Sequence, residues 1–294
     1  MAEALRVGII ANPAKDGAQE LLRDLIERFE EREVSLVFDE TTAVMMGSEL
    51  GFSFEEISDH VDLFVVLGGD GTILWVLRQL QEKVKPIAAI NTGTLGFMTC
   101  ATTQESELLV AALTSGDYRE SHRVLIQGEF EKEGKIEDTF LALNEILLCR
   151  GVDARGIHVE AHINDKFANR YSGDGLILST PTGSTAYSLS AGGPLVDPDA
   201  DVFIITPICP HALANRPLVV DGQSQLVFDA PEQRDDLALM VDGKLVASIS
   251  EPARIRMRRA SFHFPLISLP GQDFYRILNE KLGWTGTSIR VRER

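Results

Sequence analysis

The feature that most constrains the fold is an alternation of short apolar runs with amphipathic stretches through about residue 119. Leu5–Ala11 is apolar and ends at Asn12-Pro13, and Ala18–Glu33 follows with apolar residues at helical spacing. Asp62–Leu67 is almost entirely apolar, which is typical of strands that a parallel sheet buries on both faces. The alternation therefore predicts an open, mostly parallel α/β sheet in an N-terminal domain.

Further runs complete this pattern. Val34–Phe38 and Ile87–Ile90 are predicted strands, and Ile73–Leu80 is a predicted helix. Ligands of open α/β sheets bind beyond the carboxyl ends of the strands. The loops after Leu67 and Ile90 are therefore the first places to look for a site.

From Val124 onward the sequence changes to short β-type runs separated by Gly, Asp and Pro turns. These runs are Val124–Glu129, Phe140–Leu148, His158–Ile163, Val202–Ile205, Leu218–Val220, Gln225–Phe228 and Arg254–Met257. Helical spacing returns at Phe274–Leu282. We predict an α/β domain over residues 1–119, an all-β domain over 120–265, and a segment over 266–294 that packs back on the first domain.

The charge of the chain argues against polyanionic partners. Asp and Glu outnumber Lys and Arg by 44 to 28, a formal net charge of −16, and residues 1–60 alone hold 14 acidic and 5 basic side chains. This disfavours a sequence-independent grip on nucleic acid and binding to an anionic membrane. The three cysteines are far apart and the N-terminus lacks a signal-type core, so we expect a cytoplasmic protein without disulfides or structural zinc.

The loop Gly68-Gly69-Asp70-Gly71-Thr72 lies between a predicted strand and a predicted helix. Glycines let backbone amides approach a phosphate, and the start of a helix favours an anion. A carboxylate in such a loop, here Asp70, points instead to work on a hydroxyl or a metal. A plain turn in which Asp70 or Thr72 caps the helix is an equally open interpretation. The loop fits neither the Walker nor the GxGxxG pattern.

Three other segments are candidates for ligand binding. Asn91–Phe97 is a glycine-rich loop after the next strand, and Asn144-Glu145 places two polar side chains inside the apolar run Leu141–Leu148. Gly173–Pro194 is dense in glycine and hydroxyl residues that suit a base, a ribose or a phosphate. The respective alternatives are a connector for Asn91–Phe97, an exposed edge or a turn for Asn144-Glu145, and a surface loop for Gly173–Pro194.

Two patterns favour structural explanations. His158 and His162 lie in β-type sequence, where their spacing forms no helical metal pair. Arg254, Arg256 and Arg258 alternate with apolar residues, as on a strand with a solvated basic face.

Together these residues resemble the NAD kinase family, enzymes that phosphorylate NAD to NADP. The resemblance runs from about residue 5 to residue 284 and rests on the Gly68–Thr72 loop, Asn91–Phe97, Asn144-Glu145, Asp174 with Thr180–Ser190, and Pro207–Pro217. The glycine loop alone is shared with lipid kinases, whereas the 173–194 block after an Asn-Glu pair is more specific.

The resemblance implies a role for each matched residue. Asp70 would accept the proton of the adenosine ribose 2′-hydroxyl, and Asn144 and Glu145 would hold ribose hydroxyls. The implied phosphate loop is Gly68, Gly69, Gly71 and Thr72. The implied NAD-binding residues are Asp70, Gly71, Phe97, Asn144, Glu145, Arg155, Asp174, Thr185, Ala186, Tyr187, Ser188, Ser190 and Lys244.

The resemblance also implies ATP or polyphosphate as donor, Mg²⁺ bound with ATP, and a homodimer or homotetramer that shares its nucleotide site between subunits. The chain departs from relatives at Ser172, where some bacterial members carry Arg, and at Lys244, where Gln is common. A lipid kinase with the same glycine loop and a catalytically silent NAD-binding sensor are the alternatives. NADP formation from ATP and NAD would distinguish the enzyme from both.

Overall fold

A computed structural model describes residues 4–93, 95–151, 156–231 and 236–283. The chain divides into two compact units, with the divisions after Ser121 and after Phe264. The first unit combines the N-terminal segment with the residues after Phe264, and the second unit is the segment between the two divisions. The predicted fold class, an α/β N-terminal region joined to an all-β region, is confirmed.

The first unit contains a seven-stranded sheet and several α-helices. Its strands are β1 Arg6–Ala11, β2 Ser35–Phe38, β3 Leu63–Leu67, β4 Ile87–Asn91, β5 Ala101–Thr102, β6 Arg119–Arg123 and, late in the chain, β19 Phe264–Ser268. Its helices are α1 Ala18–Glu30, α2 Glu40–Met45, α3 Asp70–Leu80, α4 Ser106–Ser115 and α6 Phe274–Leu282. Short 3₁₀ turns occur at Ile57–His60, Gln81–Lys83 and Thr103–Glu105.

The strand order is β2-β1-β3-β4-β19-β6, with β5 also pairing β4. Strands β1 to β5 pair in parallel, and so does β19 with β4. Strand β3 is buried along its whole length, as its apolar sequence predicts. The apolar faces of α1 and α4 cover one side of the sheet through residues such as Leu22 and Leu109.

The carboxyl ends of three parallel strands meet at one edge of this sheet. Ala11 pairs with Leu67, and Leu67 pairs with Ile90. The Asn12 amide donates to the Leu67 carbonyl at 3.1 Å, and the Gly68 amide donates to the Ile90 carbonyl at 2.9 Å. The loops that start at Asn12, Gly68 and Asn91 therefore leave the sheet side by side.

The second unit is a sandwich of two six-stranded antiparallel sheets. One sheet has the order β11-β10-β15-β18-β7-β8 and the other β14-β13-β12-β9-β16-β17. The strands are β7 Ile126–Lys132, β8 Lys135–Ala142, β9 Glu145–Arg150, β10 Ile157–Ile163, β11 Lys166–Gly173, β12 Gly175–Ser179, β13 Val202–Ile208, β14 Leu218–Asp221, β15 Leu226–Ala230, β16 Leu237–Val241, β17 Lys244–Ile249 and β18 Ala253–Arg259. A 3₁₀ turn, Thr182–Thr185, precedes the one-turn helix α5, Tyr187–Ser190.

The inward faces of both sheets form one core, to which Phe130, Leu148, Phe203, Phe228 and Ile255 contribute. Side chains of β18 alternate between buried and more exposed, so Arg254, Arg256 and Arg258 lie on the outer face as predicted. None of the helices in the described part of the chain combines the length and apolar character needed to cross a bilayer.

Two element boundaries differ from the sequence prediction. Helix α1 ends at Glu30 rather than Glu33, because Glu33 adopts a left-handed φ of 57° and the Val34 amide bonds back to the Phe29 carbonyl. The predicted continuous strand Phe140–Leu148 is wrong. The structure divides it between β8 and β9, because the amides of residues 143–145 bond a carboxylate rather than a neighbouring strand.

Candidate functional site

The glycine loop of the first unit is the tight connection from β3 to α3. A Cβ at Gly68 would overlap the side chain of Thr72, so this position needs a glycine. Gly69 is the N-cap of α3 and the cap carries no side-chain hydrogen bond. The structure therefore does not support the interpretation that Asp70 or Thr72 is present to cap the helix.

The Asp70 carboxylate is bonded to the neighbouring loop. Its Oδ2 accepts the Phe97 amide and its Oδ1 accepts the Met98 amide, each at 3.1 Å. Thr72 is buried, and its Oγ1 accepts a hydrogen bond from the Asn12 Nδ2 at 3.2 Å. The glycine loop is thus hydrogen-bonded to both neighbouring loops. Asp70 bonds the loop that follows β4, and Thr72 bonds the loop that follows β1.

Gly96 makes the Asp70 arrangement possible. A Cβ at Gly96 would overlap the Asp70 carboxylate, whereas the bare glycine lets the 96–98 backbone approach it. The Gly96 amide donates to the Thr99 Oγ1 at 2.7 Å, which fixes the loop. The Phe97 ring packs against Phe274 of α6 with 6.5 Å between ring centroids. Two backbone donors and a packed ring thereby hold Asp70 in one orientation.

The second unit has a polar turn between β8 and β9. The carboxylate of Asp242 accepts three backbone amides there, from Leu143 at 2.9 Å, Asn144 at 2.8 Å and Glu145 at 3.0 Å. The Asp242 amide donates in return to the Glu145 carbonyl at 3.0 Å. Asp242 is buried and has a left-handed φ of 46° in the turn between β16 and β17. Its charge is therefore stabilised by the turn that it shapes.

Glu145 is the most perturbed carboxyl of this turn. It is only 7% exposed, and its Oε2 is buried without a hydrogen-bond partner among the described residues. Burial raises the pKa of Glu145 to about 7, the nearby Asp242 carboxylate adds to the rise, and a hydrogen bond from the Tyr187 backbone opposes it. An orphaned buried carboxyl of this kind marks a candidate ligand contact.

The hydroxyl-rich segment packs against the same turn. The Thr180 amide donates to the Asn144 carbonyl at 2.9 Å, and the Thr180 hydroxyl donates to the Leu143 carbonyl at 2.5 Å. A Cβ at Gly183 would overlap the Asn144 backbone, so this close approach requires glycine. The structure therefore brings the Asn144-Glu145 turn and the hydroxyl-rich segment together, two segments that the sequence analysis predicts separately as ligand-binding.

The predicted residues of this segment differ in exposure. Tyr187 and Ser190 are exposed, and Thr185 and Ala186 are half-buried. Ser188 is fully buried, and its Oγ lies 2.9 Å from the Thr206 Oγ1. The Ser188 hydroxyl thus anchors the segment to β13.

Asp174 lies away from the turn. Glu145 pairs with Ser179, and Cys149 pairs with Gly175, so Asp174 is at the opposite end of the β9–β12 strand pair. At about 3.4 Å per residue, the separation from Glu145 is roughly 17 Å. The Asp174 Oδ1 forms an exposed ion pair with the Arg150 Nε at 3.1 Å. The structure does not bring Asp174 to the Asn144-Glu145 turn.

Two further predicted positions, Ser172 and Lys244, lie within the described residues. Ser172 Oγ lies 2.9 Å from the His158 Nδ1. Lys244 is exposed at the start of β17, two residues after Asp242. Arg155, and Thr94 of the second glycine loop, lie outside the described residues.

Asp242 is the residue that the sequence prediction missed as part of the site. Its Asp-Gly dipeptide between two β-type runs is the ordinary pattern of a hairpin turn, and Lys244, two residues later, is the predicted NAD contact at this turn. The partner amides lie 97 to 99 residues away in sequence. No local pattern carries that pairing.

A metal site of protein side chains is not evident in the described part of the chain. No group of three or more His, Cys, Asp or Glu side chains there is placed to hold a metal ion. Mg²⁺ is commonly bound by one or two carboxylates together with substrate phosphates, and such a site needs no protein cluster.

The fold defines the class of protein. It is an α/β unit with a glycine loop at the carboxyl ends of its strands, joined to an antiparallel β sandwich. The ATP-NAD kinase N-terminal domain profile matches residues 7–118, and the ATP-NAD kinase C-terminal domain profile matches residues 143–269.

Relatives of known name agree with these profiles. NAD kinase of Geobacter metallireducens is 36% identical over 95% of this chain and 98% of its own length. NAD kinase of Acetivibrio thermocellus is 34% identical over 97% of this chain and 100% of its own length. The chain belongs to the NAD kinase family, a family of phosphotransferases, which confirms the resemblance drawn from the motifs.

Solved structures are similar over nearly the whole chain. Yeast NADH kinase in complex with NADH superimposes with a TM-score of 0.89 at 27% identity, covering 99% of this chain and 90% of the yeast chain. An NAD kinase from Archaeoglobus fulgidus in complex with ATP superimposes with a TM-score of 0.71 at 25% identity, covering 96% of this chain and 100% of that chain. These similarities extend the family assignment to both units.

Proposed function

We propose that this protein transfers the γ-phosphoryl group of ATP to the 2′-hydroxyl of the adenosine ribose of NAD, giving NADP and ADP. The observation that carries the proposal is the Asp70 carboxylate, which two backbone amides hold at the edge of the sheet where the glycine loop begins a helix. Membership of the NAD kinase family supplies the substrates.

Asp70 is the proposed proton acceptor. The ribose 2′-oxygen forms a new bond to the γ-phosphorus, the bond from that phosphorus to the β,γ-bridging oxygen breaks, and ADP leaves. The hydroxyl proton goes to the Asp70 carboxylate. Phosphoryl transfer depends chiefly on positioning and charge neutralisation, so a base that is held rigidly suits this reaction.

The proposed phosphate contacts are the loop residues Gly68, Gly69, Gly71 and Thr72. Gly69 is the N-cap of α3 and Gly71 lies in its first turn, where the helix dipole favours an anion. The amides of Gly68 and Thr72 donate to the carbonyls of Ile90 and Gly69, so these two residues shape the loop around the phosphates. Mg²⁺ enters as part of the MgATP substrate and neutralises phosphate charge. The protein groups then need only to orient the phosphates.

The proposed contacts to NAD include a ribose site in the second unit. Asn144 and Glu145 bind ribose hydroxyls, and the orphaned Glu145 Oε2 gains a partner in doing so. Phe97 is a pocket wall, while Ser188 holds the segment in place. The proposed contacts to the ends of the dinucleotide are Asp174, Thr185, Ala186, Tyr187 and Ser190, with Arg155 and Lys244 as further NAD contacts.

The decisive experiment measures NADP formation by the purified protein. The reaction is run with NAD and either ATP or polyphosphate, each with and without Mg²⁺. We expect NADP with ATP and Mg²⁺ and none without the metal. Calorimetric binding of NAD with no NADP from any donor would instead establish an NAD-binding sensor, and phosphorylation of a lipid emulsion in place of NAD would establish a lipid kinase.

We propose a homodimer or homotetramer in the cytoplasm, as the family resemblance implies. Light scattering coupled to size-exclusion chromatography measures the assembly directly, and a monomeric mass at micromolar concentration would contradict it.

A further inference from the structure

The last strand of the first unit lies beside the loop that follows β4. Strand β19 pairs in parallel with β4, with Leu266 opposite Ile87, on the side of β4 away from β3. Strand β5 occupies the same side of β4 further along, where Ala101 pairs with Ile90. Because β19 would reach Ile90 three residues after Leu266, β5 prevents the strand from continuing and the chain has to turn there.

The turn after β19 brings the side chain of Gln272 to the start of β5. The Gln272 amide donates to the Leu269 carbonyl at 3.1 Å, and Gly271 has a left-handed φ of 79°. The Gln272 Oε1 accepts the Leu269 amide at 3.1 Å, and its Nε2 donates to the Cys100 carbonyl. Gln272 thereby joins the end of β19 to the residue that precedes β5 through main-chain groups, as a neighbouring strand would.

Phe274 packs on the same loop from the start of α6. The Asp273 side chain caps this helix by accepting the Tyr275 amide at 3.0 Å. The cap fixes Phe274 as the first residue of the helix, where its ring centroid lies 6.5 Å from that of Phe97 at an interplanar angle of 48°. Both rings are half-buried. The beginning of α6 therefore sets the position of the ring that packs on Phe97.

The loop held in this way carries both amides that bond Asp70. The Phe97 amide donates to the Asp70 Oδ2 and the Met98 amide to the Oδ1, each at 3.1 Å. Phe97 is packed by the first ring of α6, and Cys100, two residues after Met98, is bonded by Gln272. The segment after β19 thus holds the loop at Phe97 and at Cys100, on both sides of Met98. Misplacing a catalytic group by about 1 Å costs up to roughly 10²-fold in rate, so these contacts bear on catalysis.

We propose that Gln272 and Phe274 are positioning residues for phosphoryl transfer, which hold the amides of Phe97 and Met98 so that the Asp70 carboxylate faces the ribose hydroxyl. The inference rests on the proposed function and adds to it a segment that touches no reacting atom. Gln272 and Phe274 contact the loop, so their effect on the reaction passes through the loop backbone. The proposed phosphate and ribose contacts lie elsewhere, so loss of either side chain lowers kcat more than it raises either KM.

The first test observes the loop without turnover. Hydrogen–deuterium exchange of a peptide that spans residues 95–100 reports the protection of the Phe97 and Met98 amides. We expect Phe274→Ala and Gln272→Met to exchange about tenfold faster in this peptide than the unmodified protein, the effect of losing about 1.4 kcal/mol of local stability. Unchanged exchange in both folded variants would overturn the proposal.

The second test separates positioning from stability. We expect Phe274→Ala to lower kcat about tenfold and Gln272→Met about fivefold, with the KM for ATP and for NAD within about threefold of the original values. Phe274→Tyr keeps the ring and should restore most of kcat. Tyr118→Ala, which removes a half-buried ring from the same unit, and Gln104→Met, which removes an exposed amide, are the matched controls and should keep kcat. A lower urea midpoint with normal kcat in Phe274→Ala and Gln272→Met would show a purely structural role.

The Asp70→Asn background identifies the group through which the two residues act. If they act by orienting the Asp70 carboxylate, Phe274→Ala should lower the residual rate of Asp70→Asn by less than about twofold, because coupled effects do not add. A full tenfold loss in that background would overturn the route through Asp70. If the unmodified protein makes no NADP from any donor, the proposed function fails, while the exchange measurement still decides whether Gln272 and Phe274 hold the loop.

Discussion

The two units hold their key carboxylates in opposite ways. In the first unit, Asp70 projects from the glycine loop, is half-buried and accepts two amides. In the second unit, Asp242 is buried and accepts three amides from the turn that carries Asn144 and Glu145. Asp70 is thus a group that the backbone orients, whereas Asp242 is a group that orients the backbone.

Backbone amides donate to a carboxylate in both units, but the number of amides and the burial of the carboxylate determine its role. Two amides leave the Asp70 carboxylate with remaining lone pairs and partial exposure, which a proton acceptor needs. The three amides at Asp242 occupy most of the hydrogen-bond acceptor sites of its carboxylate, so the role of Asp242 is to hold the turn that carries Glu145. Replacing each carboxylate by an amide should therefore affect catalysis in the first unit and stability in the second.

The largest expected effect is that of Asp70→Asn on turnover. The amide keeps the shape and can still accept a backbone amide, but it accepts no proton from the ribose hydroxyl. We expect kcat to fall by about 10²- to 10⁴-fold, the usual contribution of a general base, with the Kd for NAD within about threefold of the original. Steady-state NADP formation and calorimetric NAD binding measure the two quantities.

Asp59→Asn is the matched control for this variant, because Asp59 is an exposed aspartate of the same unit. It should leave both kcat and the Kd for NAD unchanged. An Asp70→Asn protein with a near-normal rate would eliminate Asp70 as the proton acceptor.

The next effect is that of Asp242→Asn on stability. Asn tolerates the left-handed φ of this turn, but it offers one acceptor oxygen to three buried amides. Buried donors left without partners cost about 1 to 3 kcal/mol each, so we expect a loss on the order of 3 kcal/mol and a higher KM for NAD. Urea unfolding and initial-rate kinetics provide the measurements.

Asp165→Asn supplies the comparison, since Asp165 also has a left-handed φ, of 63°, but lies exposed in the hairpin between β10 and β11. We expect its urea midpoint and its KM for NAD to equal those of the unmodified protein. Should Asp242→Asn behave in the same way, the three amides would not depend on the charge of Asp242.

Much of the first unit could be predicted from its sequence because the signals there are local. The apolar run ending at Leu67 predicts a buried strand, and the glycines that follow it predict the start of a helix near Asp70. Parallel packing then requires the strand ends at Ala11, Leu67 and Asn91 to share an edge. The loop neighbours of Asp70 follow from that edge.

The site of the second unit could be predicted only in part. The Asn144-Glu145 pair and the hydroxyl-rich segment stand out as residue types, yet an apolar run around them predicts one continuous strand. That prediction is wrong because the controlling interaction is long-range, from Asp242 to three amides almost 100 residues earlier. The raised pKa of Glu145 follows from the same packing and has no local signal either.

Glu145→Gln should sharpen the comparison through its dependence on pH. The folded-state pKa of about 7 exceeds the ordinary value of 4.5, so folding favours the protonated carboxyl. The stability of the unmodified protein therefore falls as pH rises from about 4.5 through about 7. We expect Glu145→Gln, which has no charge to bury, to be more stable at pH 8 by an amount on the order of 3 kcal/mol.

This gain should shrink below pH 5, and urea midpoints measured from pH 5 to pH 8 would show it. The same variant should have a higher KM for NAD, because the amide replaces a carboxylate proposed to accept ribose hydroxyls. If Glu145→Gln were less stable than the unmodified protein at pH 8, burying the ionised Glu145 carboxylate would not destabilise the fold. A normal KM would remove it from the NAD site.

The smallest expected effect on stability is that of Asp174→Asn, at the far end of the β9–β12 strand pair from Glu145. Its ion pair with Arg150 is 43% exposed on both sides, and exposed pairs contribute about 0 to 1 kcal/mol. We therefore expect an almost unchanged urea midpoint, so that any rise in the KM for NAD reports a lost contact with the ligand. Unlike Asp242→Asn, this variant separates binding from folding, and an unchanged KM would remove Asp174 from the proposed NAD contacts.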